Sequence, residues 1–267
     1  GLAISLLPFG LEMEERIGLA WLFQLRGERP APEEVVIVSL DKESIDLLHL
    51  PDNISKWPRS THANLVSKLT HEKAAVIAFD LSFNDPSEED PLFAEAIATA
   101  GNVVLIEKIE RNNDRNAPLI EIQKVIPLVS TLAREAAALA IFPLPKIPVQ
   151  ISQYWRFKNN PYLATLPVVV FKIFSPVLYQ RNVDLYGNKA SAYLNFYGPP
   201  QMITTVPYFK VLQLPKPIIV NGKAVSFNRK AVFVGLSEKT PDRQKDGFHT
   251  VYSQSDGGCL LRVCFGY

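Results

Sequence analysis

The chain has 267 residues, of which 47% are apolar and 21% charged, enough to bury a real core and too apolar for global disorder. Its 28 Lys and Arg against 27 Asp and Glu leave a net charge of +1, with no single-sign field to recognise duplex nucleic acid. Two cysteines, Cys259 and Cys264, exclude a disulfide framework, no Cys/His spacing for a structural zinc site is present, and 21 prolines point to a loop-rich globular chain.

Residues 1–9 form an apolar run, less than half the roughly 20 residues needed to cross a bilayer. The run lacks the basic region and cleavage site of a signal peptide. Two readings stay open: a buried core segment, or the outer end of a transmembrane helix. No complete membrane span is found elsewhere in the sequence. Residues 11–25 predict a helix. Glu12, Glu14 and Glu15 suit its positive end, and Met13, Ile17, Ala20 and Trp21 recur at helical spacing. Gly27 is placed to stop it, and the prolines of 28–33 make a linker.

Residues 35–40 are a nearly continuous β-branched run, the pattern of a strand buried on both faces of a parallel sheet. Asp41 follows at its carboxyl end. Trp57-Pro58-Arg59 precedes Ser60, a good N-cap for a helix over 61–71. A second buried strand covers 74–79 and ends at Asp80. Residues 83–86 turn. A helix over 91–100 follows Glu88, Glu89 and Asp90 and is stopped by Gly101, and a third strand covers 102–106. Strand, helix, strand, helix, strand is the pattern of a parallel sheet.

The second half is rich in loops and proline. It reads as a polar loop over 111–117, a helix over 130–139 and an extended stretch over 142–149. Residues 163–174 are a helix or a buried apolar run. A strand covers 191–197, a short helix or turn 206–212, and a buried strand 230–236. Asn221-Gly222 between 218–220 and 224–226 is a favoured two-residue hairpin turn. The expected fold is therefore α/β: a mostly parallel sheet with helices on both faces and a βαβαβ start.

No glycine-rich dinucleotide fingerprint, phosphate-binding loop or nucleophile elbow is present, and the four histidines share no metal-ligand spacing. One constellation stands out. Asp41 and Asp80 end two strands read as adjacent, and Arg59 and His62 open the helix between them. Ligands of open α/β sheets bind outside the strand carboxyl ends. Two carboxylates there could hold a hard cation or pair with Arg59. Trp57 is either one wall of a ligand pocket or a plug over the sheet edge. If the edge is a ligand site, Arg59 is the anchor for an anionic group. A purely structural cluster of ion pairs and caps is the competing reading.

The ordered motifs resemble a known family. They are Phe23 to Gly27, the 35–41 strand with Ser44, Trp57-Pro58-Arg59-Ser60 with His62 and Leu65, and 76–80 with Phe83. Asp90, Phe93, Ala94, Ala96 and Ile97 follow, then 100–105, 194–199 and 232–235. Together they resemble the second class of the CHASE group, the extracellular sensory domains associated with cyclases and histidine kinases. The chain departs from that pattern at 152–158, where an Asp-x-Asp-Gly element is replaced, and in its last helix.

The resemblance implies an extracytoplasmic sensor set after a first transmembrane helix, in the inner membrane with this domain in the periplasm. It implies a small-molecule ligand and an output through a cytoplasmic adenylate or guanylate cyclase or a kinase, with no catalysis by the domain itself. A homodimer is compatible with it, and no cofactor or nucleic-acid partner is expected. The domain plan is a membrane-proximal helix region over 1–27, the sensor over 28–254, and an anomalous tail over 255–267 whose cysteines are expected to be irrelevant to folding. A metal-dependent α/β enzyme using Asp41 and Asp80 and a structural dimerisation module are the alternatives.

Overall fold

A computed structural model describes residues 18–113, 121–143, 153–157, 163–187, 189–199, 201–236 and 252. The apolar run 1–9, Met13, Ile17, residues 114–117 and 144–149, both cysteines and the tail lie outside these residues.

Among the described residues six strands run parallel in the central sheet. In spatial order they are β8 (Thr205–Pro207), β1 (Val35–Leu40), β11 (Ala231–Leu236), β2 (Val76–Ser82), β3 (Val103–Asn113) and β5 (Ala138–Ile141). The seventh, β4 (Glu121–Ile126), is antiparallel to the distal half of β3, from Lys108 to Asn113. Two small pairs stand outside the sheet: β6 (Gln153–Trp155) with β7 (Ser191–Tyr193), and β9 (Ile219–Val220) with β10 (Lys223–Ala224).

The three amino-terminal strands are parallel, as the sequence predicts, but β1 and β2 are not neighbours. The last strand, β11, lies between them, with Val36 opposite Val232 and Ile77 also opposite Val232. Its residues Ala231 to Gly235 are all buried, and only a central position covers both faces of such a strand.

Alternation along the strands splits the core in two. Val36, Val38, Leu40, Ile77, Phe79, Val103, Leu105, Val232 and Val234 face one side. There they meet α2 (Lys42–Leu48), α3 (Arg59–His71), α4 (Asp90–Ala100), α5 (Ser130–Glu135) and α8 (Tyr208–Leu212) through Ile45, Leu65, Phe93, Leu132 and Val211. Val35, Ile37, Val76, Ala78, Val104, Ile106 and Phe233 face the other side. There α6 (Leu166–Phe174) lays down Leu166, Val169 and Val170. The apolar run that the sequence left between helix and strand is thus a helix, opened by Pro167 in its first turn. Two further α-helices, α1 (Leu19–Arg26) and α7 (Pro176–Tyr186), and a 3₁₀ turn over Ile54–Lys56 complete the helices of the described residues.

Three of the boundaries that differ from the sequence reading are set by strand pairing. The helix expected over 130–139 ends at Glu135, and its alanines continue into strand β5. Ala140 and Ile141 are buried there, beside β3, so tertiary burial overrides the helix preference of alanine. Arg111 to Asn113 belong to β3 and not to a loop, because β4 supplies their ladder. The strand expected over 191–197 is paired only as far as Tyr193. The Asn221-Gly222 hairpin forms as expected, with φ of 49° and 75°, the paired positive values its turn requires. Among the described residues no helix is long and apolar enough to cross a membrane.

Candidate ligand site

Asp41 is committed to the chain around it. Its Oδ1 accepts from the Ser44 amide at 2.8 Å, capping α2, and its Oδ2 accepts from Ser39 Oγ at 2.8 Å. Asp41→Ala is expected to cost about 1 kcal/mol, the usual loss of an N-cap, measured by urea unfolding.

Arg59 opens α3 and reaches across to α4. Its Nε donates to Asp90 Oδ1 at 2.9 Å and its Nη2 to the Asp85 carbonyl at 2.8 Å, while the guanidinium lies 4.8 Å over the Phe83 ring. Both side chains of the pair are 6% exposed. Asp90 Oδ2 accepts from the Ser87 amide at 2.8 Å. Ser60 is not the cap of its helix, because α3 starts one residue earlier. The Ser60 amide and hydroxyl instead donate to the Glu89 carboxylate at 2.9 Å and 3.0 Å. A carboxylate borrowed from the next helix thus satisfies a free amide at the positive end of α3. The amino ends of α3 and α4 are clamped together by Arg59–Asp90 and Ser60–Glu89.

One turn further on, His62 is buried among aromatic rings. It stacks on Trp57 with centroids 6.0 Å apart and planes 16° from parallel, and Phe79, Phe83, Phe93 and Tyr208 surround it. Its Nδ1 lies 2.9 Å from Tyr208 Oη, whose own proton goes to the Thr61 carbonyl at 3.2 Å. With Nδ1 as the donor, Nε2 is a lone pair with no hydrogen-bond partner among the described residues. Burial, and secondarily the Arg59 charge, lowers the His62 pKa to about 3, so the ring is neutral. Trp57 is 2% exposed and donates from Nε1 to the Pro51 carbonyl at 2.9 Å.

Of the five sequence-predicted residues, Trp57, Arg59 and His62 gather on the α3 face of the sheet. Asp41 sits at the end of β1, with β11 between it and β2. Asp80 is buried within β2, and its neighbours Phe79 and Leu81 pack toward α3, so alternation points Asp80 to the opposite face. The partner of Arg59 is Asp90, not Asp41 or Asp80. The sequence offered this partner, since Asp90 was read as a helix-start acid, but nothing in the pattern linked two helix starts.

Sequence reasoning missed a second place. A cavity of about 210 Å³ lies between α6, α7 and the β6–β7 pair, lined by Arg156, Tyr154, Asn182, Asn195, Val168 and Phe171 among others. Arg156 follows β6 and is 6% exposed. Its burial depends on a three-residue strand pair too short to leave a periodic signal. Among the described residues no group of three or more His, Cys, Asp or Glu side chains is placed to hold a metal ion.

A mainly parallel α/β sheet with a sealed, aromatic-lined carboxyl edge on one face and a cationic cavity beyond the other defines an α/β domain with a ligand-sized hollow. The chain belongs to the CHASE2 domain family, which matches it over residues 1–262 and comprises extracellular sensory domains of signalling receptors. No curated protein and no solved structure matches the chain.

Proposed function

We propose that the chain is the extracytoplasmic ligand-sensing domain of a membrane-bound receptor, read out through α1 by a cytoplasmic nucleotide cyclase or kinase. The observation that carries the reading is how α1 is fastened to the domain. Phe23 packs edge-on against Phe196 with centroids 5.4 Å apart. Arg26 Nη1 donates to Asn195 Oδ1 at 2.7 Å, and its Nη2 donates to the Phe196 carbonyl. The Arg29 amide donates to the Tyr197 carbonyl at 2.8 Å. Tyr252 Oη also donates to the Phe23 carbonyl at 3.3 Å, and a helix tied mainly to residues 195–197 transmits a displacement of that segment. The sequence places this helix directly after the apolar run at the chain's start, which suits a helix leading from a membrane.

Arg26→Ala in the full-length receptor is the test. Arg26 is exposed but donates two hydrogen bonds that hold only α1, so stability should fall by about 1 kcal/mol with the fold kept. Cyclic-nucleotide formation or autophosphorylation in isolated membranes should shift about fivefold or more, the lower range of ordinary coupling. Membranes with neither activity would overturn the output assignment. An unchanged output would overturn the role of α1.

A further inference from the structure

We propose that the cavity at Arg156 binds a small aromatic monocarboxylate, with Arg156 as the anchor for its carboxylate. The proposal names the ligand class of the sensor read above and rests on that reading for its biological meaning.

The first argument is charge. A guanidinium stays protonated at any ordinary pH, and burying it without an anion is costly. Arg156 donates from Nη1 to the Gly187 carbonyl at 3.2 Å and from Nη2 to Asn182 Oδ1 at 3.1 Å. Both acceptors are neutral, and among the described residues no carboxylate lies within ion-pair distance of it. Of five guanidinium N–H groups, these bonds use two. Arg59, which is also buried, has Asp90. Arg156 lines a cavity instead.

The second argument is the lining. Asn182 and Asn195 turn their oxygens to Arg156 and Arg26, which leaves their amide N–H groups as further donors. Tyr154 adds a phenol that burial keeps protonated, against the weaker opposing pull of Arg156. Among the described residues no acidic side chain lines the cavity. A donor-rich wall without an acid suits a carboxylate and disfavours an amino acid, whose ammonium would meet no anion.

The third argument is size and shape. Pro167, Val168, Phe171 and Leu194 make the apolar part of the wall. Apolar cavities of about 150 Å³ admit benzene, so 210 Å³ admits a single ring carrying a short acid. The site also touches the readout. Asn195 is the residue that Arg26 of α1 grips, and Leu194, Tyr154 and Phe23 pack in one cluster with Phe196.

Calorimetric titration of the purified 267-residue chain with phenylacetate tests the proposal, with benzyl alcohol and phenylalanine as comparison probes. Phenylacetate should bind and raise the melting temperature, and each comparison probe should bind at least about tenfold more weakly, as the loss of a charged hydrogen bond or an unpaired ammonium requires. Arg156→Gln should weaken phenylacetate at least about tenfold. Because Arg156 also holds Gly187 and Asn182, Val168→Phe provides a second variant that fills the cavity and keeps the arginine. It should abolish binding while the circular dichroism spectrum stays unchanged. No binding by phenylacetate, or binding that survives both substitutions, overturns the proposal. Binding is read on the isolated chain, so its failure is distinct from a receptor with no output.

Discussion

Arg59→Ala is expected to destabilise the domain by about 3–5 kcal/mol, the cost of stranding one member of a buried ion pair. For a chain of this size that is a fall on the order of 10 °C in melting temperature. The reason lies in the partners. Asp90 would remain at the amino end of α4 with 6% exposure, holding only the Ser87 amide. The Asp85 carbonyl would lose its donor, and the Phe83 ring its cation. Arg59→Lys should recover little, since an ammonium cannot reach two acceptors in the planar fork. Arg59→Met combined with Asp90→Asn should recover part of the loss, because it removes both charges together. A melting temperature unchanged by Arg59→Ala would mean that the clamp between α3 and α4 contributes nothing.

The second large effect is a pH dependence carried by His62. Its pKa is about 3 in the folded chain against 6.5 unperturbed. Between these values the unfolded chain binds a proton that the folded chain refuses. The contribution of His62 is therefore fully present above pH 6.5 and is lost as pH falls toward 3. The expected slope is about 1.4 kcal/mol per pH unit below 6.5. Urea unfolding of the wild type and of His62→Phe at steps from pH 7.5 to 4.5 isolates it, because acids that titrate in both chains cancel. In the variant, Tyr208 keeps the Thr61 carbonyl as its acceptor. The wild type should lose stability more steeply on acidification. Parallel profiles would show that His62 is protonated, or exposed, in the folded chain.

Much of the fold was legible because its strands are buried on both faces. The runs 35–40, 74–79 and 230–236 announce themselves by composition alone, and Pro91 with Gly101 marks both ends of α4. What pattern cannot show is spatial order. Nothing in residues 231–236 says that they enter between β1 and β2, and this one insertion separates Asp41 from Asp80. The period of two along β2, had it been applied to Asp80, would have set it across the sheet from Arg59. The boundaries that failed are those decided by partners: the alanines of 136–140 follow β3, and Arg111 to Asn113 follow β4.

The candidate residues were legible in part for the same reason. Trp57, Arg59 and His62 lie on one helix start, and local spacing brings them together. The Arg59–Asp90 pair joins residues 31 apart, and the Arg156 cavity joins elements from 153 to 195. Long-range assembly of this kind leaves no mark in a single sequence.

The central claim is that this domain senses outside the cytoplasm, and the compartment of its folded core is the most direct measurement of it. The full-length receptor, produced in a Gram-negative bacterium, can carry alkaline phosphatase or β-galactosidase joined after Leu236, the last residue of β11. Phosphatase is active only outside the cytoplasm and galactosidase only within it. The account predicts an active phosphatase fusion and an inactive galactosidase fusion. An active galactosidase with a silent phosphatase would contradict it.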